Sequence, residues 1–316
     1  MTTQLPQVTH IYQYHNGDST RWQRYQPRPD DIIISTPPKS GTTWTQEIVR
    51  QLIFAGQADA PERDSLALRQ VSPWLDHRRF PLDEVLSRLE AQPHRRFIKS
   101  HLPLDGLPYF PQIKYVVVGR DIRDVAISMW NHYTEFVDAQ FERSGDLPAG
   151  FGEPLPPPPP DIHAFWHSWI SRGSFAWTSE GYPFQGVMHH MQSWWNYRHL
   201  PNIHFVHYND LKSDLHGEIR RLADYLSIPV VDEWLPSITQ AVTLEAMRER
   251  EERLDPGLKN VWKEGARSFF HKGTNGRWRD VFSAEEVQMY EEKAAQVLTS
   301  KCRAWLEQGR VALSNG

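Results

Sequence analysis

A chain of 316 residues with 39% hydrophobic and 23% charged side chains has the makeup of a folding globular protein, not of a disordered or fibrous one. Its formal charge of -4 gives no overall attraction to nucleic acid or to an anionic membrane, so any anion site has to be built locally. Cys302 is the single cysteine, which excludes an internal disulfide and a cysteine-based zinc site and fits a reducing compartment.

The amino terminus has neither a basic start nor an apolar run of signal-peptide length. The longest apolar runs, around Ile32–Ile34, Leu52–Ala55 and Tyr115–Val118, are far too short to cross a bilayer. The expectation is a soluble, cytoplasmic protein with no membrane and no nucleic-acid partner.

In chain order, the β-rich run Asp31–Ser35 reads as a buried strand. After a polar loop, Thr42–Phe54 carries Trp44, Ile48, Val49 and Leu52 on one helical face. Arg96–Lys99 is a shorter strand that ends in charged residues. Tyr115–Val118 is a third strand, followed by a helix over Arg123–Tyr133 with Asp121 and Asp124 suited to its positive N-terminal end. The stretch from Glu135 to Pro160, rich in glycine and with a proline run at Pro156–Pro160, interrupts this rhythm as an excursion or lid; a polyproline spacer or surface loop would have the same composition. Ile203–His207 is the fourth strand, and Leu215, Ile219, Leu222 and Leu226 mark a helix after it. This recurrence predicts an α/β, three-layer fold with a central, mainly parallel sheet and a P-loop-like strand-loop-helix.

The first strand runs through Thr36-Pro-Pro-Lys-Ser-Gly-Thr-Thr-Trp44 directly into a helix. Unpaired amides at a helix start favour an anion, and Gly41 lets the chain pass close to it. Lys39 adds charge, while Ser40, Thr42 and Thr43 add donors. An ordinary capped helix start also uses serine and threonine, but the lysine points to phosphate. In the ATP-binding loop the lysine follows the last glycine; here it precedes Gly41, so this is not a Walker A sequence. Asp121, after the third strand, could imitate an ATPase metal carboxylate, but Gly119 and Arg120 intervene.

Pro38–Trp44 resembles the first cofactor loop of the sulfotransferase family, enzymes that use 3′-phosphoadenosine 5′-phosphosulfate (PAPS) and release 3′-phosphoadenosine 5′-phosphate (PAP). The resemblance, to a bacterial-type cytosolic member, spans about residues 30–305, which implies one domain over residues 1–316 where length alone would suggest about two. It implies that Lys39 and the loop residues Ser40, Gly41, Thr42 and Thr43 hold the 5′-phosphosulfate and that Trp44 stacks on adenine. Phe97-Ile-Lys-Ser-His-Leu-Pro103 is similar to the family's Lys-x-His-Leu-Pro segment. In an extended chain Lys99 and His101 lie on one face. The resemblance makes His101 the base that takes the acceptor proton, with Lys99 and Lys39 steadying developing charge and no metal required. Val118–Ser128 is similar to the second phosphate segment, which implies that Arg120 and Ser128 bind the 3′-phosphate.

Further along, Tyr208 matches a tyrosine that meets adenine, and Thr243–Met247 lies where the family has another adenine-contacting segment, with Val242 where a threonine is often found. Phe269–Arg279, with Phe270, Lys272, Gly273, Gly276 and Trp278, resembles the family's Arg-Lys-Gly-x-x-Gly-Asp-Trp-Lys loop. His271 replaces the arginine and Arg277 the aspartate, so a phosphate contact there becomes pH-dependent. If His271 binds as a cation, affinity should fall between about pH 6 and 8.

The acceptor is less defined. Phe136, Phe141, Phe151, Phe165, Trp166, Trp169, Phe175, Trp177, Tyr182 and Phe184 would suit an apolar pocket, although core packing accounts for most of them; a minority is expected to face a small hydroxylated or amine acceptor, such as a phenol or hydrophobic alcohol. His163 and His167 have helical metal-ligand spacing without a third ligand, and no metal is expected. The segment Arg279–Gln288 does not fit the dimerisation pattern of animal members, which leaves the oligomeric state open. Two rival readings are a phosphate-loop kinase, against which the loop order argues, and a nucleotide-sensing protein without chemistry, against which Lys39, Lys99 and His101 argue.

Overall fold

The computed structural model describes residues 4–57 and 60–314. Four parallel strands, β1 (Ile32–Ser35), β2 (Phe97–Ser100), β3 (Lys114–Gly119) and β4 (Ile203–His207), form a sheet in the order β2-β1-β3-β4. Their side chains alternate between two cores. Ile32, Ile34, Phe97, Val116 and Val118 face one layer, which holds α1 (Thr42–Ile53) and α5 (Leu215–Leu226). Ile33, Ile98, Tyr115 and Val117 face the other, which is rich in tryptophan and holds α2 (Ile122–Thr134), α3 (Ile162–Ser171), α4 (Val187–Trp195), α7 (Ala284–Val297) and α8 (Ser300–Gln308). Apolar on both faces, these strands have the near-continuous β-branched composition of a doubly covered parallel sheet. Between α5 and α7, α6 (Leu244–Leu254) carries Met247 towards the third, smaller core.

The sequence started the first two strands one residue too early, ended the second one residue short at Lys99, and drew the third, Tyr115–Val118, one residue short at each end. Asp31 and Arg96 stand just before β1 and β2 and are buried as a pair: Arg96 Nε donates to Asp31 Oδ1 at 2.8 Å, and Tyr25 donates to Oδ2. Two charges that pair across the strand starts cannot also serve as apolar strand residues. The first helix likewise stops at Ile53, with Phe54 as its cap.

Because β2 and β3 flank β1 on opposite sides, successive crossovers leave in opposite directions at the C-terminal ends of β1 and β3. Such a divergence opens a crevice where ligands bind. The chain of residues 135–160 is packed on the body. It forms a helix at Asp138–Ser144, Leu155 is buried, its N–H donates to Ser144 Oγ at 3.0 Å, and Phe151 lies under the Arg78 guanidinium. Among the described residues no helix is long and apolar enough to cross a membrane.

Candidate active site

A cavity of about 910 Å³ opens at the C-terminal edge of the sheet. β1 delivers the phosphate loop to it. Lys39 and Gly41 both have positive φ, 66° and 115°, and a Cβ on Gly41 would come within 3.0 Å of the Tyr208 ring, so only glycine fits there without strain. α1 starts on Gly41 with no side-chain cap, so its leading amides and dipole are not spent on a side chain. Thr42 is tied by its hydroxyl to Thr36, while Thr43 and Trp44 line the cavity. Ser40 Oγ and Trp44 Nε1 are buried without a hydrogen-bond partner among the described residues. Polar atoms left unpaired at such a depth are completed by a ligand or by an ordered water.

The termini of β1 and β2 bring Lys39, Lys99 and His101 to the same cavity. His101 Nδ1 lies 2.6 Å from the Thr36 carbonyl oxygen. A carbonyl only accepts, so Nδ1 carries the proton and, in the neutral ring, Nε2 carries the lone pair. Burial and the Lys99 charge hold the imidazole well below its ordinary range. Lys99 Nζ sits 4.4 Å above the Trp74 ring, and the edge of Trp74 meets His101 at 4.7 Å. Burial pushes Lys99 down to about 8. Burial, then Arg120 and Lys99, push Lys39 down to about 7.

β3 leads into Arg120, whose guanidinium bridges two loops. It donates to the Lys39 carbonyl at 3.2 Å, the Thr274 carbonyl at 2.8 Å and Asn275 Oδ1 at 3.0 Å, and it lies 4.3 Å over the Tyr208 ring. Ser128, two turns into α2, lines the same cavity. Only one of the two aspartates expected at the start of α2 caps it: Asp121 accepts from Arg123 N at 3.0 Å. Asp124 instead accepts from Gly276 N at 2.7 Å and Arg277 N at 3.1 Å, fixing the glycine-rich loop. Tyr208 Oη and Lys212 Nζ both donate to the Gly273 carbonyl at 3.2 Å. Asp124→Ala should therefore loosen residues 273–277 and weaken nucleotide binding by about tenfold, the scale of one or two charge-assisted bonds. PAP titration of the variant checks this, and unchanged affinity would leave Asp124 with no part in holding the loop.

Thr243, Met247, Phe270, His271, Lys272 and Gly273 also line the cavity. Thr243 caps α6, accepting from Ala246 N at 3.2 Å. Met247 and Phe270 form the small core under Trp44, which meets Tyr208 edge-on at 5.3 Å. His271 is exposed on the loop. Burial, Arg277, Lys272 and Lys39 together lower its pKa, so any affinity change due to its protonation is displaced towards more acid pH. Of the ten aromatics considered for an acceptor pocket, Phe136 and Phe184 line the cavity, while Phe165, Trp166 and Trp169 are core residues of α3. His163 and His167 face Glu286, His163 at 2.9 Å. No group of three potential metal ligands occurs among the described residues.

Trp74 and His132 are among the cavity residues missed from sequence. Trp74 precedes β2 in an irregular segment with no periodicity to mark it. His132, by contrast, lies four residues after Ser128 on one face of α2, a helical spacing that was available.

The sulfotransferase domain model matches residues 29–301. A glycolipid sulfotransferase of Mycobacterium bovis is 36% identical over 95% of this chain and 94% of its own length. The rat sulfotransferase 1A1 is 26% identical over 88% of this chain and 87% of its own. In fold, a mouse sulfotransferase complexed with PAP superposes with a TM-score of 0.65 at 20% identity, covering 94% of this chain and 91% of that one. A retinol dehydratase in complex with androsterone and PAP gives 0.64 at 24% identity, covering 89% and 84%. With a matched domain across nearly the whole length and a strand-end loop, lysine pair and histidine gathered at one cavity, the chain belongs to the PAPS-dependent sulfotransferase family as a bacterial-type member.

Proposed function

We propose that this enzyme transfers the sulfuryl group of PAPS to a hydroxyl of an amphipathic acceptor, with His101 as general base. The observation that carries this reading is the His101 Nδ1–H bond to Thr36 at 2.6 Å, which leaves Nε2 as the basic atom of a neutral ring. The unpaired Ser40 hydroxyl and Trp44 indole N–H, beside an uncapped helix start, fit an anionic nucleotide: the loop amides, Ser40 and Lys39 for the 5′-phosphosulfate, Trp44, Tyr208, Met247 and Phe270 for the base, Arg120 and Ser128 for the 3′-phosphate. His101 Nε2 takes the acceptor proton as the acceptor oxygen bonds to sulfur. The bond from sulfur to the phosphate oxygen breaks, and PAP departs with its charge met by Lys39 and Lys99.

The acceptor side of the cavity mixes Trp74, Phe80, Val85, Phe136, Phe184 and Trp262 with Asn16, His77 and Gln140. That mixture suits a molecule with an apolar body and a polar head, and the relative named for glycolipid sulfation points the same way. Transfer of labelled sulfate from PAPS to a panel of alkyl glycosides, hydrophobic alcohols and phenols, with and without chelator, tests the reading. Phosphoryl transfer from ATP without sulfuryl transfer from PAPS would overturn it.

The lysines set a pH dependence for donor binding. In the free enzyme Lys39 loses its proton near 7; beside a bound 5′-phosphate the ammonium is favoured and its pKa rises. Binding above pH 7 therefore takes up a proton, and PAP affinity should fall by up to roughly tenfold per pH unit between about pH 7 and 9. Calorimetry in buffers of different ionisation enthalpy reads the uptake directly. An affinity that stays flat over this range would show that Lys39 keeps its proton in the free enzyme.

A further inference from the structure

The hydrogen bond made by Lys39 leads away from the phosphate loop. Its Nζ lies 3.3 Å from Nδ1 of His132 and 5.2 Å over the Phe269 ring. His132 projects from α2 and lines the cavity, with its ring packed at 5.1 Å from Phe136, 5.0 Å from Trp262 and 5.9 Å from Phe269. Three aromatic neighbours leave the imidazole little freedom, and below about pH 7, where Lys39 is an ammonium, it offers only donors, so Nδ1 acts as the acceptor and the neutral ring carries its proton on Nε2. We propose that His132 is a positioning residue for Lys39, a fixed acceptor that holds the lysine over the reacting end of the cavity and away from the loop amides.

The alternative is a core histidine that happens to lie beside a flexible lysine. Two features weigh against it. Lys39 starts from a backbone at φ 66°, which sets the direction of its Cα–Cβ bond, and its Nζ meets both the His132 nitrogen and the Phe269 ring. The groups facing the pair are cationic or neutral: Lys99 and His101 from the end of β2, Arg120 from the end of β3 and His271 from the glycine-rich loop, all on the cavity wall. Glu135, at the end of α2, accepts from Ser268 Oγ. A lysine among such neighbours is repelled from the centre of the site unless an acceptor holds it, and His132 supplies that acceptor. A lysine fixed in this way meets developing charge without first reorganising.

The inference rests on the sulfotransferase reading for its catalytic consequence, and its test includes a readout that needs no turnover. His132→Phe keeps an aromatic ring and removes the acceptor; His132→Asn places a carbonyl oxygen near the position of Nδ1. Competitive labelling of lysines with trace acetic anhydride across pH, read by mass spectrometry, gives the titration midpoint of Lys39 in each protein. His132→Phe should lower that midpoint by about half a unit or more, because an apolar ring replaces a polar partner, and His132→Asn should restore it. With PAPS and an acceptor found in the panel, His132→Phe should lower kcat by about tenfold to a hundredfold with PAP affinity at pH 6.5 and acceptor KM changed less than threefold, and His132→Asn should recover most of the loss. An unmoved midpoint in both folded variants, each verified by PAP binding, would overturn the proposal. So would a loss confined to acceptor KM, which would make His132 an ordinary pocket wall. If wild-type protein moved no sulfuryl group, the function assigned above would fall, while the labelling result would still decide the Lys39–His132 contact.

Discussion

His101→Ala should lower kcat by about a hundredfold or more, with PAP affinity retained. The expectation follows from tautomer and pKa together. The bond from Nδ1 to the Thr36 carbonyl fixes the ring by one nitrogen and presents the other, so the basic atom is held in place before substrate arrives. Burial and Lys99 keep the ring neutral, so the base is available throughout the neutral range. The same shift gives the pH profile its shape. A histidine with an ordinary pKa would lose activity below about pH 6.5, whereas a group held lower keeps kcat level as the pH falls through that value. On the alkaline side, deprotonation of Lys99 near 8 removes charge from the reacting end, and activity declines there. Turnover of wild type and His101→Ala across pH 5 to 9 checks both parts. Near-normal turnover in the variant with PAP bound would exclude His101 as the base, and a wild-type acid limb at about 6.5 would show a ring more solvated than the fold implies.

The residues that sequence identified converge on one cavity because each stands just beyond the C-terminal end of a strand: Lys39 after β1, Lys99 and His101 at and after β2, Arg120 after β3, Tyr208 after β4. In a parallel sheet those ends share one edge, so local motifs far apart in sequence become neighbours by topology alone. The strands themselves were legible as apolar runs, with errors of one residue at their ends; the two early starts fall on Asp31 and Arg96, charged residues whose mutual burial no periodicity announces. What sequence did not yield is the wiring between loops. Asp124 reads as a helix-start carboxylate and in fact holds amides 152 residues away at Gly276. His132 reads as one more polar residue on a helix face until the fold sets it beside a lysine 93 positions distant. Such contacts depend on how loops are laid against each other, and residue type carries little information about that.

Arg120 illustrates the difference, and its substitution is expected to have two separable effects. From sequence it is a phosphate ligand, and Arg120→Ala would then weaken only ligands that carry the 3′-phosphate. In the fold, three of its five N–H groups are spent on Lys39, Thr274 and Asn275, which leaves two for a phosphate. The same guanidinium joins the phosphate loop to the glycine-rich loop and covers Tyr208. Removing it should release the second loop, which the proposed nucleotide site includes, and also delete the proposed charge-assisted phosphate contact, worth about 1.5–3 kcal/mol. Adenosine 5′-phosphosulfate, which lacks the 3′-phosphate, should thus lose about tenfold in affinity through loop release alone, and PAPS about a hundredfold or more through both. Competition binding of the two ligands to wild type and Arg120→Ala measures the ratio. A loss confined to PAPS would show that the loop stands without Arg120, held by Asp124 and Tyr208; equal losses for both ligands would move the 3′-phosphate to other cations of the cavity, of which Lys272 and Arg277 lie on the loop itself.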